Sequence, residues 1–183
     1  MQREEALSLI RENVKKENLI KHMLAVESIM RKVAERLGED PDKWGLLGLL
    51  HDIDFEKTKN NPKEHGILAG EILKGRVSEE ILRAIMAHNF ENTGVMPKSR
   101  MELSLIAADS ISGLIVACAL VMPSKKLEEV RVETIAKKFK QKDFARNCSR
   151  ERILFCERFG IEKERFFDIA LSALKNVANE LGL

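Results

Sequence analysis

Apolar positions along the chain recur three and four residues apart, and no stretch alternates apolar with polar residues over the length of a strand. The pattern predicts helices separated by short breaks. An opening helix covers residues 3–13. A longer one runs from about Leu19 to Leu37, where Gly38 supplies a C-terminal cap. Asp40-Pro41 starts the next, with an acceptor at the N-cap and proline at the first helical position. That helix carries Trp44, Leu46, Leu47, Leu49 and Leu50 and delivers His51-Asp52 at its end. Asn61-Pro62-Lys63-Glu64 has the form of a capping box, which predicts a helix from Pro62 to about Lys74, ended by Gly75. Ser78 caps another, running through Ile81, Leu82 and Ile85 to His88. After a loop holding Gly94 and Pro97, a long apolar helix is expected from about Arg100 to Val121. A basic helix near Leu127–Lys140, a short one from Ser149 to Phe159 and a last one from Lys163 to Leu181 complete the pattern. No linker rich in Gly, Ser or Pro divides it. The expectation is one all-α domain over residues 1–183, with a core of about 17–122 and a helical extension of about 123–183.

Composition fits that picture. With 44% hydrophobic and 33% charged residues, the chain reads as soluble and globular. A net charge of +2 gives no strong field for nucleic acid or an anionic membrane, so neither is expected as a partner. Charge is uneven, however: ten lysines and arginines lie between Ser124 and Arg152, Arg150 and Arg152 among them. A solvated helical surface is the common meaning of such a run. The alternative is a basic rim that draws phosphates to a nearby site. Cys118, Cys148 and Cys156 have neither paired nor metal-type spacing, which reads as reduced thiols in a cytoplasmic protein. The first residues, Met-Gln-Arg-Glu-Glu-Ala, are too acidic for a signal peptide. Leu103–Met122 imitates a membrane span, but Asp109 sits inside it beside Ser104, Ser110, Ser112 and Gly113. A carboxylate at mid-span costs about 2.5–3.5 kcal/mol on insertion scales, so a buried core helix is expected instead.

The chemistry concentrates on the four histidines. His22 is in phase with Val26, Ile29 and Val33, His88 extends the row Ile81, Ile85, and His65 is in phase with Leu68, Ala69 and Ile72. Asp109 shares a face with Leu105, Ile106, Gly113 and Val116. A single histidine on an apolar face is more often a core residue bonded to backbone than a ligand. Ionisable groups on several inward faces need one another, because an unpaired buried carboxylate is very costly. Four imidazoles with Asp52 and Asp109 can satisfy each other through bound metal. Other signatures are absent: there is no glycine-rich phosphate loop, no G-x-S-x-G elbow and no dinucleotide fingerprint. With one Trp, no Tyr and Phe residues mostly on apolar faces, no base-stacking platform is evident.

The order His22, His51-Asp52, His65, His88, Asp109 resembles the HD-domain superfamily of metal-dependent phosphohydrolases. Leu49-Leu50-His51-Asp52-Ile53 looks like its defining segment and Ala107-Ala108-Asp109 like its closing aspartate helix, a resemblance covering about residues 17–120. It implies an all-α HD-domain bundle with accessory C-terminal helices. By the same resemblance His22, His51, Asp52 and Asp109 hold a first divalent metal. His65 and His88 match the histidines of branches that bind a second, with Asp52 bridging. Iron or manganese leads the expectation, ahead of zinc, cobalt, nickel or magnesium. His51 and Asp52 would act through a metal-bound hydroxide, with the ions held about 3.5–4 Å apart, on a phosphate ester of a nucleotide or related small molecule. Two alternatives from other classes are a non-catalytic nucleotide-sensing or partner-binding HD module and a di-iron oxygenase. The pattern also has departures. Asp54 stands where glycine is common and can orient a ligand or touch substrate, or equally be a surface or capping carboxylate; Lys57 can contact phosphate, though a solvated lysine is the commoner case. The stretch from His88 to Pro97 resembles the loop of the HD-GYP cyclic-dinucleotide hydrolases. Asn89 replaces their second histidine and Gly94-Val95-Met96-Pro97 is not Gly-Tyr-Pro, which argues against cyclic di-GMP.

Overall fold

A computed structural model describes residues 1–183 and contains helices, turns and no strand. The helices are α1 (Arg3–Asn13), α2 (Glu17–Leu37), α3 (Pro41–Leu50), α4 (Phe55–Thr58), α5 (Ile67–Leu73), α6 (Glu79–His88), α7 (Phe90–Thr93) and α8 (Arg100–Leu120). Beyond them lie a 3-10 turn at Leu127–Glu129, then α9 (Val132–Phe139), α10 (Arg150–Ile153), α11 (Phe155–Arg158), α12 (Lys163–Asn176) and α13 (Ala178–Leu181).

At the centre lies α8. It is apolar all round and buried over most of its length, as a helix enclosed by others must be. By length and composition alone it could cross a membrane; in this fold it is packed inside the bundle. Its start is fixed by a capping box: the Glu102 backbone N–H donates to Ser99 Oγ, and the Glu102 carboxylate accepts from the Ser99 N–H. Against α8 pack α2, α6 and α10–α12. A single apolar core runs from Ala6 to Leu181 and joins Phe166 and Phe167 of α12 to Ile29 of α2 and Leu114 of α8. Buried Glu27 of α2 is neutralised by Arg3 at 2.6 Å and Arg31 at 3.2 Å, which ties α1 to α2.

The pairing of α2 with α3 is unusually close. A Cβ placed on Gly48 would stand 2.9 Å from the Val26 carbonyl, so only glycine lets the two backbones approach there. Asp40 caps α3 as expected, accepting from Asp42 N–H at 2.9 Å and Lys43 N–H at 3.2 Å.

Several expected boundaries are corrected. The helix expected from Pro62 begins five residues later: residues 62–66 form turns, and α5 starts at Ile67. Gly66 has φ +88°, which breaks helical geometry, and a Cβ on it would meet the Ile85 carbonyl at 3.1 Å. Asn61 does not cap the helix; Asp54, from a distant turn, accepts from the Gly66 and Ala69 N–H groups. The expected Leu127–Lys140 helix is the 3-10 turn followed by α9, the Ser149–Phe159 helix breaks at Leu154, and the last one breaks at Val177.

Candidate metal centre

Five elements carry the six expected residues to one place. His22 comes from α2, His51 and Asp52 from the end of α3, and His65 from the turn before α5. His88 is the last residue of α6, and Asp109 lies midway along α8. The close approach at Gly48 brings the end of α3 beside α2, so His51 and His22 meet edge to face with ring centroids 5.2 Å apart. Asp52 is the hub. Its Oδ1 lies 3.3 Å from His65 Nε2, 3.5 Å from His51 Nε2 and 3.6 Å from His88 Nε2, while Oδ2 lies 3.7 Å from His22 Nε2. Asp109 Oδ1 is 3.2 Å from His22 Nε2 and 3.9 Å from His51 Nε2.

Each imidazole is held through its other nitrogen. Nδ1 of His51 donates to the Gly48 carbonyl at 2.8 Å, and Nδ1 of His88 donates to the Ile85 carbonyl. Nδ1 of His65 faces Asp54 Oδ1 at 2.8 Å. Nδ1 of His22 lies 3.2 Å from Ser112 Oγ, whose own proton is donated to the Asp109 carbonyl at 2.8 Å, so His22 is the donor in that pair. All four Nε2 atoms therefore face inward, and each offers a lone pair to a metal once its imidazole is neutral. Two consequences fit a divalent metal. His51 Nε2 is fully buried with no hydrogen-bond partner. His65 Nε2 and His88 Nε2 stand 2.9 Å apart, an opposition of lone pairs that a proton or a metal must relieve. The donor atoms form two compact groups, His22–His51–Asp52 and Asp52–His65–His88, which share Asp52.

Charge in the cluster follows from burial and neighbours. Burial pushes the His51 imidazolium down to about 4, against the pull of Asp52. For His65 burial also disfavours the charged form, but hydrogen bonds to Asp52 and Asp54 and their charges outweigh it and raise the group to about 9. His22 is raised despite its burial by Asp109 and Asp52. Both carboxyls sit below their usual range. Burial opposes this, but His51, His65 and His88 hold Asp52 well down, and His22 and His51 hold Asp109 down.

Sequence reasoning left several functional side chains undecided or unnamed. Asp54 is wholly buried and clamps His65 through Oδ1 while holding the N-terminus of α5 through Oδ2. Asn89 donates to the Pro62 and His65 carbonyls at 2.8 and 2.9 Å, so it pins the turn that presents His65. Ser112 is one turn beyond Asp109 on the same helix, and that i, i+3 phase was a usable signal. Lys57 does not reach the cluster; its Nζ donates to Asn13 Oδ1 at 2.6 Å. The cluster opens into a cavity of about 380 Å³ lined also by Leu19, Phe55, Asn89 and Arg152. Phe55 is 44% exposed there and meets the His65 ring edge-on, an apolar wall that the sequence pattern did not indicate. Of the ten basic residues between Ser124 and Arg152, Arg152 alone lines this cavity.

A family model described as HD domain matches residues 19–114, more than half the chain. The chain belongs to the HD-domain family. Its fold, its His/Asp cluster and its relatives place it with the metal-dependent phosphohydrolase type of HD domain. It is 33% identical over 98 residues to a Ribonuclease Y of Oleidesulfovibrio alaskensis, covering 53% of this chain and 18% of that protein. To a Ribonuclease Y of Thermosipho melanesiensis it is 30% identical over 133 residues, covering 68% of this chain and 24% of the relative. A Ribonuclease Y of Clostridium botulinum is 28% identical over 173 residues, covering 90% and 32%. The chain thus spans no more than about a third of the length of these curated relatives. No solved structure matches it. All six residues of the cluster lie inside the matched HD span, whereas Arg152 lies beyond its end.

Proposed function

We propose that this HD domain is a hydrolase that cleaves a phosphate ester of a nucleotide or related small molecule at a two-metal centre, with iron or manganese as the leading ions. The observation that carries this reading is the arrangement of four Nε2 atoms around Asp52, each ring held by its Nδ1. His22, His51, Asp52 and Asp109 would hold one ion, and His65, His88 and the shared Asp52 the other. Divalent ions bound there would supply Lewis-acid polarisation of a phosphoryl oxygen and would ease the loss of a proton from the attacking water. The protein's part is orientation. Ser112, Gly48, Asp54 and Ile85 fix the tautomer of each imidazole, so no ligand has to reorganise when the ion enters. The cavity is of the size that encloses small ligands. Phe55 gives it an apolar wall for a base or sugar.

The name of the relatives, Ribonuclease Y, supports a second reading in which the bond cleaved is a phosphodiester of RNA. A net charge of +2 and a single arginine at the cavity favour a small ester over a long polyanion.

The test is a hydrolysis screen, read by chromatography of the nucleotide products, with manganese, iron, cobalt and nickel. Its substrates are nucleoside monophosphates, dinucleoside polyphosphates, cyclic dinucleotides and short oligoribonucleotides. The expected result is metal-dependent turnover of a small ester that chelation and Asp52→Ala abolish. No turnover of any ester, or full activity in Asp52→Ala, overturns the reading.

A further inference from the structure

Arg152 is the one arginine or lysine that lines the cavity, and it comes from α10, outside the matched HD span. Its guanidinium is held on one side only. Nε and Nη2 face the Glu91 carboxylate, Nε at 3.2 Å. The guanidinium carbon lies 5.5 Å from the Phe90 ring centroid; Phe90 stacks on Phe155 at 6.3 Å, and Phe155 carries Arg158 on its ring at 4.7 Å. The fork is thus oriented by an ion pair and an aromatic ladder, at little further entropic cost to a ligand. Nη1 makes no hydrogen bond. It lies 3.9 Å from Asp109 Oδ2, on the cavity that the cluster opens into.

That distance is too long for a hydrogen bond and leaves Nη1 without an acceptor at the edge of the centre. Asp109 turns Oδ1 to His22 Nε2 at 3.2 Å, which leaves Oδ2 as the oxygen nearer to Arg152. With divalent ions in the cluster, the guanidinium would be a cation directed at cations. An anion between them reconciles that arrangement, and a phosphoryl group has the oxygens to engage both.

We infer that Arg152 Nη1 receives a non-bridging oxygen of the substrate's phosphoryl group, so that the C-terminal segment supplies the anion clamp for a centre built by the HD core. The inference rests on the phosphoester reading above, and it assigns a substrate-binding residue to it. Glu91 and Phe90 act as positioning residues for the clamp.

The experiment uses the full chain loaded with Mn²⁺, as wild type, Arg152→Ala and Arg152→Lys. Inorganic phosphate is titrated by calorimetry, Mn²⁺ affinity is measured separately, and KM and kcat are taken on the best ester. Arg152→Ala is expected to weaken phosphate binding about ten-fold or more and to act mainly on KM. Arg152→Lys should recover part of the loss, because an ammonium keeps the charge without the fork. Mn²⁺ should bind both variants at least as tightly as wild type, since a nearby cation has been removed or kept. Unchanged phosphate affinity overturns the inference. So does weakened Mn²⁺ binding with phosphate affinity intact, which would make Arg152 a support for Asp109. Ester hydrolysis by wild type with an unaffected Arg152→Ala would sink the clamp and leave the hydrolase standing. Arg152-dependent phosphate binding without turnover of any ester would do the reverse.

Discussion

Replacing Asp54 by asparagine separates its two jobs. The carboxylate is fully buried and accepts three N–H groups: His65 Nδ1 at 2.8 Å, Gly66 N at 2.8 Å and Ala69 N at 2.9 Å. An asparagine oriented with its oxygen towards Gly66 and Ala69 keeps the cap on α5. Its amide then opposes the Nδ1–H of His65, donor against donor. His65 can move the proton to Nε2, which removes the lone pair directed at Asp52 and His88, or it can leave a buried donor unpaired. The second course costs about 1–3 kcal/mol. For a chain of this size that lowers the melting temperature by roughly 2–10 °C. Either course lowers metal affinity at the His65–His88 side, by about 10–100-fold, which is the usual effect of removing a partner that orients a ligand. Asp54→Ala strands the two backbone donors as well and should destabilise by a further 2–5 kcal/mol or so. The assay is metal titration followed by calorimetry, with thermal unfolding of the metal-free protein in parallel and His65→Ala as the reference. Wild-type metal affinity and stoichiometry in Asp54→Asn would refute the reasoning, because the tautomer of His65 would then not depend on Asp54.

Three further outcomes are expected. Gly66→Ala places a Cβ at φ +88° and 3.1 Å from the Ile85 carbonyl, so it should destabilise by at least about 1–2 kcal/mol; urea unfolding at the wild-type midpoint would contradict this. Glu102 is buried and accepts from the Lys98 and Ser99 N–H groups and from Arg83, and these hold its carboxyl below the usual range against the effect of burial. Its contribution, about 1–3 kcal/mol, is present above the ordinary glutamate value of about 4.5 and is lost as pH falls through the lowered folded value. The stability gap between wild type and Glu102→Gln should therefore close below pH 4.5, and a gap constant from pH 7 to 3 would exclude it. Arg150 donates to six carbonyls between Lys138 and Cys148, so Arg150→Ala should loosen that segment and speed its proteolysis several-fold; an unchanged cleavage pattern by mass spectrometry would contradict the role.

Much of this was legible in the sequence, for identifiable reasons. Helices with an apolar period, such as α2 and α6, or a continuous apolar run, such as α3 and α8, read directly because the pattern and a cap lie within a few residues of each other. The start of α5 did not, since its cap is Asp54, more than ten residues away, while Asn61-Pro62 offered a local motif that the fold leaves unused. The breaks at Leu154 and Val177 carry no glycine or proline to mark them. At the centre, the order of His and Asp residues and their helical phases indicated convergence, and the structure brings all six together. The partners that hold them divide by distance. Ser112 follows Asp109 by one helical turn and could have been read, but Asn89 pinning the His65 turn depends on how α6 meets that turn. Arg152 is one of ten basic residues in its region, and Arg150, two positions away, is spent on backbone carbonyls. Only tertiary placement distinguishes them.

The most direct test of the whole account is the metal content of the full chain, purified without oxygen after growth with iron or manganese and measured by elemental analysis. Wild type is expected to hold two divalent ions per chain and Asp52→Ala to lose ions at both positions, because Asp52 is shared by the two groups of donors. Less than one ion per chain in wild type, or an Asp52→Ala variant that keeps them, would contradict it.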